Sequence, residues 1–191
     1  TTDESIRLTL QAGKTPAGQG SGEEQGGASL ILEAAGRSMS AALQLIRSKS
    51  SREPYLQHNQ VLLISREQAE QGFFSHLDTF TRELELRLEV WLAVSEGDAS
   101  QVLHATLEPE QLSGIALARM MLNEREIADC RAITLIEYIT KKLDGVTAST
   151  APIVTLMGPE DQPSLAVTGM AVFQGGRMTG RLTPRQVDGY A

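Results

Sequence analysis

A single cysteine, Cys130, stands in the 191 residues, so no disulfide can form within the chain. A lone thiol of this kind serves as a small apolar residue. Nucleophilic catalysis would need a partner histidine, and no local motif supplies one. Long apolar runs are also missing. None reaches the ~18 residues that suggest a membrane span, and the first residues do not read as a signal peptide. Basic clusters are missing too. The longest basic run is Lys141-Lys142, while the formal net charge is −7 and the pI is near 5.0. Affinity for phosphate backbones draws on clustered Lys and Arg, so nucleic acid is excluded as a partner.

The motifs of common chemistry are absent as well. The three histidines, His58, His76 and His104, lie far apart with no HExxH spacing, so no metal site is expected. Gly18-Gln-Gly-Ser-Gly22 lacks both the lysine and the following helix of a phosphate loop, and reads as a linker. No serine sits in a G-x-S-x-G elbow. The spacing of Asp78, Glu83, Glu85 and Glu89 marks no cleft for paired acid–base work. A plainer role fits: Asp78 and Arg82 pair one helical turn apart, and Arg87 and Glu89 share one side of a strand. The chain is read as a non-enzyme with no cofactor.

What remains is a hydrophobic content of 41%, enough for a real core, arranged in clear periodicities. Ser5 to Gln11 alternates as a half-buried strand, 12–27 is a flexible Gly-rich loop, and Ala28 to Ala34 is a second strand. Ser38 caps a first helix over 36–51, with Met39, Ala42, Leu43 and Ile46 on one stripe. Gln60 to Ile64 suits a central strand. Ser65 and Gln68 open a further helix, Gly72 breaks it, and Phe73 to Leu84 resumes it. Leu86 to Val94 alternates strictly, with Leu86, Leu88, Val90, Leu92 and Val94 facing one way and Trp91 the other. Trp91 is core if helices cover both sheet faces, and otherwise an exposed anchor for a partner. Gly97-Asp98 turns into a short helix to Leu103, and Pro109 starts another to about Leu122. Ile133, Ile136, Ile139 and Leu143 mark a last helical stripe, ended by Gly145. Pro152 to Gly158, Leu165 to Gln174 and Arg177 to Leu182 are strands, the last two joined across Gly175-Gly176. The fold class is therefore α+β, a mixed sheet with helices packed on it, in one domain over 1–191.

Several segments, taken in order, resemble a known family. His58-Asn-Gln-Val-Leu-Leu-Ile-Ser-Arg-Glu67-Gln-Ala69-Glu-Gln-Gly72 is similar to the Ger(x)C pattern of a histidine, an apolar strand, a Glu, then Ala and Gly on the next helix. The likeness continues through Leu77-Asp78, Arg82, Glu85, Arg87 and Gly97-x-Ala99-x-x-x-Leu103. Upstream, Ala35-Gly-Arg-Ser-Met-Ser-Ala-Ala42 resembles a Gly-then-helix element. Downstream, Gly169-Met-Ala-Val-Phe173 with Gly180-Arg-Leu182 resembles the family's closing hairpin. Two positions depart from the pattern: Glu83 stands where an Asp is expected, and the 12–27 loop is longer and richer in glycine.

On this resemblance the chain is identified as the N-terminal domain of a Ger(x)C-type spore germination protein. The resemblance implies a non-catalytic lipoprotein subunit of a nutrient germinant receptor. It implies an anchor to the outer face of the spore inner membrane through a lipidated Cys upstream of Thr1, and two membrane-embedded partners, the A and B subunits. Further domains are expected beyond Ala191. The alternative is a module that itself binds the small germinant. The polar residues carried over are His58, Glu67, Asp78, Arg82, Glu85 and Arg87, with Trp91 as candidate interface. Gly72, Gly97 and Gly169 are read as backbone-permissive positions.

Overall fold

The computed structural model describes residues 5–13, 29–50, 56–73, 87–107, 110, 112–127, 132–146, 148–159 and 162–188. Cys130, the helix predicted over Phe73 to Leu84 except Phe73 itself, and nearly all of the 12–27 loop lie outside them. Ala12 and Gly13 are the exception. They extend strand β1 (Ile6–Gly13), because β2 (Ser29–Gly36) supplies Leu30 and Ser29 opposite them. The two strands form an antiparallel ribbon separate from the main sheet.

Helix α1 (Met39–Lys49) follows, capped as its sequence demands: the Ser38 hydroxyl accepts from the Ala41 N–H at 3.1 Å. Its buried residues are Met39, Ala42, Leu43 and Ile46, the stripe read from the sequence. After a 3₁₀ turn at Leu56–His58 come β3 (Val61–Ser65) and α2 (Arg66–Gln71), where the Ser65 hydroxyl accepts from the Gln68 N–H. Then β4 (Trp91–Ser95), α3 (Ala99–His104) and α4 (Ser113–Ile127) run in order. The chain ends through β5 (Ile133–Thr134), α5 (Leu135–Leu143), β6 (Ser149–Met157), β7 (Ser164–Gln174), β8 (Arg177–Leu182) and α6 (Pro184–Asp188).

The main sheet has the order β3-β4-β6-β7-β8, with β5 paired to β4. Its first three strands are parallel and the others antiparallel, so the sheet is mixed and the fold is α+β. Both faces are covered. One core joins Leu62, Ile64, Leu92, Val94, Ile153 and Phe173 to α1, to α5 and to Leu8 and Ala34 of the ribbon. A second core on the opposite face joins Ala93 and Val154 to Val102, Leu117 and Met121 of α3 and α4. Trp91, half-buried, packs against this second core.

Three sequence expectations need correction. The strand predicted from Leu86 begins only at Trp91. Leu88 and Glu89 form a turn, the Val90 N–H donating to the Arg87 carbonyl at 3.4 Å. The Leu88 and Val90 carbonyls accept from Ile136 and Leu135, so this segment seats the start of α5 instead of lengthening β4. The helix predicted from Pro109 to Leu122 starts at Ser113 and runs to Ile127. The last stripe is also out of phase. Ile133 belongs to β5, so α5 starts from Leu135 and buries Leu135 and Tyr138, while Ile136 and Leu143 are exposed. A reciprocal capping box between Thr134 and Glu137 holds that phase. Tyr138 meets Phe173 edge-on, with ring centroids 5.6 Å apart, and burial pushes its hydroxyl pKa above the usual phenol value.

The β7 strand departs from simple alternation. Leu165 and Val167 reach the second core, yet Ala171 and Phe173, also odd-numbered, reach the first. The ladder pairs Ile153 with Gly169 and Val154 with Val167, which leaves Thr168 as an inserted residue. This β-bulge reverses the faces halfway along the strand. Gly169 takes φ +149 there, and a Cβ on it would lie 2.3 Å from the Leu182 carbonyl oxygen.

Candidate functional site

Of the polar residues carried over from the resemblance, the three among the described residues, His58, Glu67 and Arg87, do not meet at one point. His58 is exposed, at the end of the 3₁₀ turn before β3. Glu67 lies in the first turn of α2, after β3, and accepts from the Gln71 side chain at 3.3 Å. Five strand residues separate the two positions, about 16 Å of extended chain. Arg87 precedes β4, which runs parallel to β3, so it stands at the His58 end of the strands. It pairs with Glu89 at 2.7 Å, both side chains largely exposed; the expected pairing is present, across a turn rather than along a strand. Asp78, Arg82 and Glu85 lie outside the described residues.

The structure assembles a different cluster at the opposite, carboxyl end of β3 and β4. Glu96 follows β4 directly, and its backbone N–H donates to the Val154 carbonyl at 2.9 Å, which fixes its position beside β6. Two arginines meet on its carboxylate: Arg66 Nη1 donates to Oε1 at 2.6 Å, and Arg181 Nη1 to Oε2 at 3.2 Å. Arg66 also reaches Glu70 at 2.8 Å, and Arg181 Nη2 donates to the Thr168 carbonyl at 2.9 Å. These acceptors hold the Arg66 guanidinium pKa above its usual value, through the bonds to Glu70 first and Glu96 second. Beside the cluster a half-open cleft of about 370 Å³ runs between α2 and β8, lined by Arg66, Glu70, Met178, Thr179, Gly180 and Arg181.

This cluster lies where the two margins of the sheet are linked. Strands β3 and β8 are its two edges, yet α2, which leaves β3, packs on β8. A Cβ at Gly72 would meet the Arg177 side chain at 3.2 Å. Helix α2 therefore links the two margins of the sheet, and Arg66, Glu96 and Arg181 form a bridge between them. No motif could reveal it. Arg66 and Glu96 are 30 residues apart and Arg181 lies 85 further on, so nothing short of the topology brings them together.

The chemistry the cluster offers is limited. Two guanidinium groups face two carboxylates, so the charges cancel. The side chains are 28% to 49% exposed, so water screens each pair and its contribution to stability is small. Among the described residues no group of three or more His, Cys, Asp or Glu is placed to hold a metal ion. No helix among them is long and apolar enough to cross a membrane.

The order of the sequence motifs points to a spore germination domain, and the comparison with known families bears this out. The chain belongs to the spore germination protein N-terminal domain family, whose model matches residues 1–156. It is similar to YfkR, a protein of Bacillus subtilis (strain 168) that carries a spore germination name. The two are 24% identical over 152 residues, which is 78% of this chain and 38% of that protein. It is also similar to the crystal structure of the GerBC protein, at 16% identity and a TM-score of 0.39, over 96% of this chain and 50% of that one. The chain thus spans half or less of the length of these relatives.

Proposed function

We propose that this chain is the N-terminal part of a non-catalytic lipoprotein subunit of a nutrient germinant receptor. It acts in spore germination by assembling with two membrane-embedded subunits, A and B, and relaying their signal. The observation that carries the reading is the family match over residues 1–156. The character of the polar cluster supports it. Arg66, Glu96, Arg181 and Glu70 neutralise one another and join the margins of one sheet, which is a structural use of charge. A module built to hold a small germinant would instead aim convergent polar groups into an enclosed pocket.

The test is a pull-down with this chain as bait against detergent-solubilised spore inner membrane. We expect recovery of multi-span germination proteins, reduced for an Arg87→Glu variant if the interface includes the turn before β4. Titration of the same bait with amino acids and sugars in a calorimeter is expected to give no heat. Heat of binding together with failed recovery would replace assembly by ligand binding as the role of this chain.

A further inference from the structure

The Arg66–Glu96–Arg181 bridge lies against the bulge in β7. There the ladder passes from Ile153 with Gly169 to Val154 with Val167, and Thr168 is inserted between. Two side chains hold the inserted residue. Thr155 on β6 shares a hydroxyl–hydroxyl bond with it at 2.8 Å, and Arg181 Nη2 donates to its carbonyl at 2.9 Å. Glu96 meets this point from two directions. Its N–H donates to the carbonyl of Val154, the β6 residue at the register shift, and its Oε2 accepts from Arg181 Nη1 at 3.2 Å. Its other oxygen accepts from Arg66, the first residue of α2. One glutamate thus connects the bulge to a helix that packs on β3, β4 and β8.

The extra residue of a bulge is left out of the ladder, so its carbonyl is fixed by whatever donor reaches it. Here that donor is Arg181, and Arg181 is in turn oriented by Glu96. An ordinary surface ion pair joins two side chains and ends there. This one continues through a second guanidinium nitrogen into a backbone carbonyl of the neighbouring strand. We propose that the bridge is a coupling device: the position of α2, passed on through Glu96 and Arg181, governs how firmly the β7 bulge is held. Glu96 is its central positioning residue. When α2 is drawn away from Glu96, the carboxylate is no longer fixed from the α2 side, Arg181 loses its orientation, and the bulge loosens. A disturbed bulge loosens α2 in return, because coupling between two sites is reciprocal. Both arginines line the half-open cleft, so the coupled groups are open to contact from outside. The device stands on this geometry and does not depend on the assembly reading above.

Hydrogen exchange of this chain, followed amide by amide, tests it. Arg66 bonds to Glu70 and Glu96 and to no group of β7. Arg66→Ala should nevertheless speed exchange of the β7 amides flanking Thr168, by about twofold to thirtyfold, the range for coupling carried along a contact network. Glu96→Gln, which keeps the N–H to Val154, should speed α2 and β7 together. Glu70→Gln removes the other partner of Arg66 and should speed α2 alone. In the reverse direction Thr155→Val, which removes the hydroxyl partner of Thr168, should speed α2. Circular dichroism checks that each variant remains folded. Exchange in β7 left unchanged by both Arg66→Ala and Glu96→Gln would overturn the proposal and reduce the bridge to an anchor of α2. So would an equal effect of Glu70→Gln on β7. Acceleration spread evenly over α1, β4 and β7 would also overturn it, as a general loss of stability. Failure here with a successful pull-down leaves the assembly reading intact.

Discussion

Gly169 illustrates how much one backbone position decides. The family resemblance groups it with Gly72 and Gly97, but the three are not equivalent. Gly169 occupies φ +149 with the Leu182 carbonyl where a Cβ would go, whereas nothing lies within 4 Å of a Cβ at Gly97. Gly169→Ala is therefore expected to cost about 1–3 kcal/mol, through a strained backbone and a displaced β8. Gly97→Ala should stay within about 0.5 kcal/mol. Urea denaturation of the two variants separates them. Equal midpoints would mean that the bulge does not constrain the fold. The special conformation at Gly169 was not legible in sequence, because a glycine in a strand pattern does not reveal which side of it an extra residue enters. The pair Gly175-Gly176 was legible, since a two-residue hairpin loop demands positive φ, and the values are +61 and +85.

At the scale of elements, the sequence read best where one periodicity acted alone. Helix α1 has its cap and its four buried residues where the pattern put them. Helix α5 did not follow, because two apolar stripes overlap within LIEYITKKL and the pattern cannot choose between them. The choice was made by β5: pairing Ile133 with Leu92 and Thr134 with Trp91 fixes where the helix can begin. Leu135→Ala should accordingly cost about 2–5 kcal/mol, the range for a buried leucine. Ile136→Ala, one residue on, should cost well under about 1 kcal/mol. Thermal melts of both variants check the phase, and reversed costs would restore the stripe read from sequence. The same tertiary override explains β4. The alternation from Leu86 is real, but the start of α5 needs the Leu88 and Val90 carbonyls, and the strand gives way.

For the molecule as a whole, the fold class was legible and the long-range ties were not. The N-terminal ribbon pairs with no strand of the main sheet. Beyond its apolar face it is held by Gln11. The Gln11 amide donates to the Leu103 carbonyl at 2.8 Å, and its oxygen accepts from Ser113 Oγ at 3.2 Å and from the Gly114 N–H at 2.9 Å. A residue on β1 thus caps the start of α4. Arg7 with Asp98 and Glu33 with His104 add weaker exposed pairs along the same seam. Gln11→Ala takes the acceptor from the Gly114 N–H, while the buried Ser113 hydroxyl keeps the Leu103 carbonyl at 3.2 Å, and should cost about 1–3 kcal/mol. Hydrogen exchange is the sharper readout: amides of β1 and β2 should lose protection ahead of those in β4 and β6. Uniform loss would mean that the ribbon and sheet open as one unit.

The same tether bears on the order in which a growing chain can take shape. Gln11 leaves the ribosome well before its partners Ser113 and Gly114, which lie 102 and 103 positions later. The ribbon can pair with itself and meet α1 as soon as those residues emerge. It cannot reach its final seat until the start of α4 has been made, and contacts of such separation form late because the loop between them must first close. During translation β1 and β2 therefore form an appendage awaiting its anchor. A ribosome stalled before residue 113 should display a nascent chain whose amino-terminal ribbon is still open to protease, and one stalled well beyond α4 a chain whose ribbon is protected.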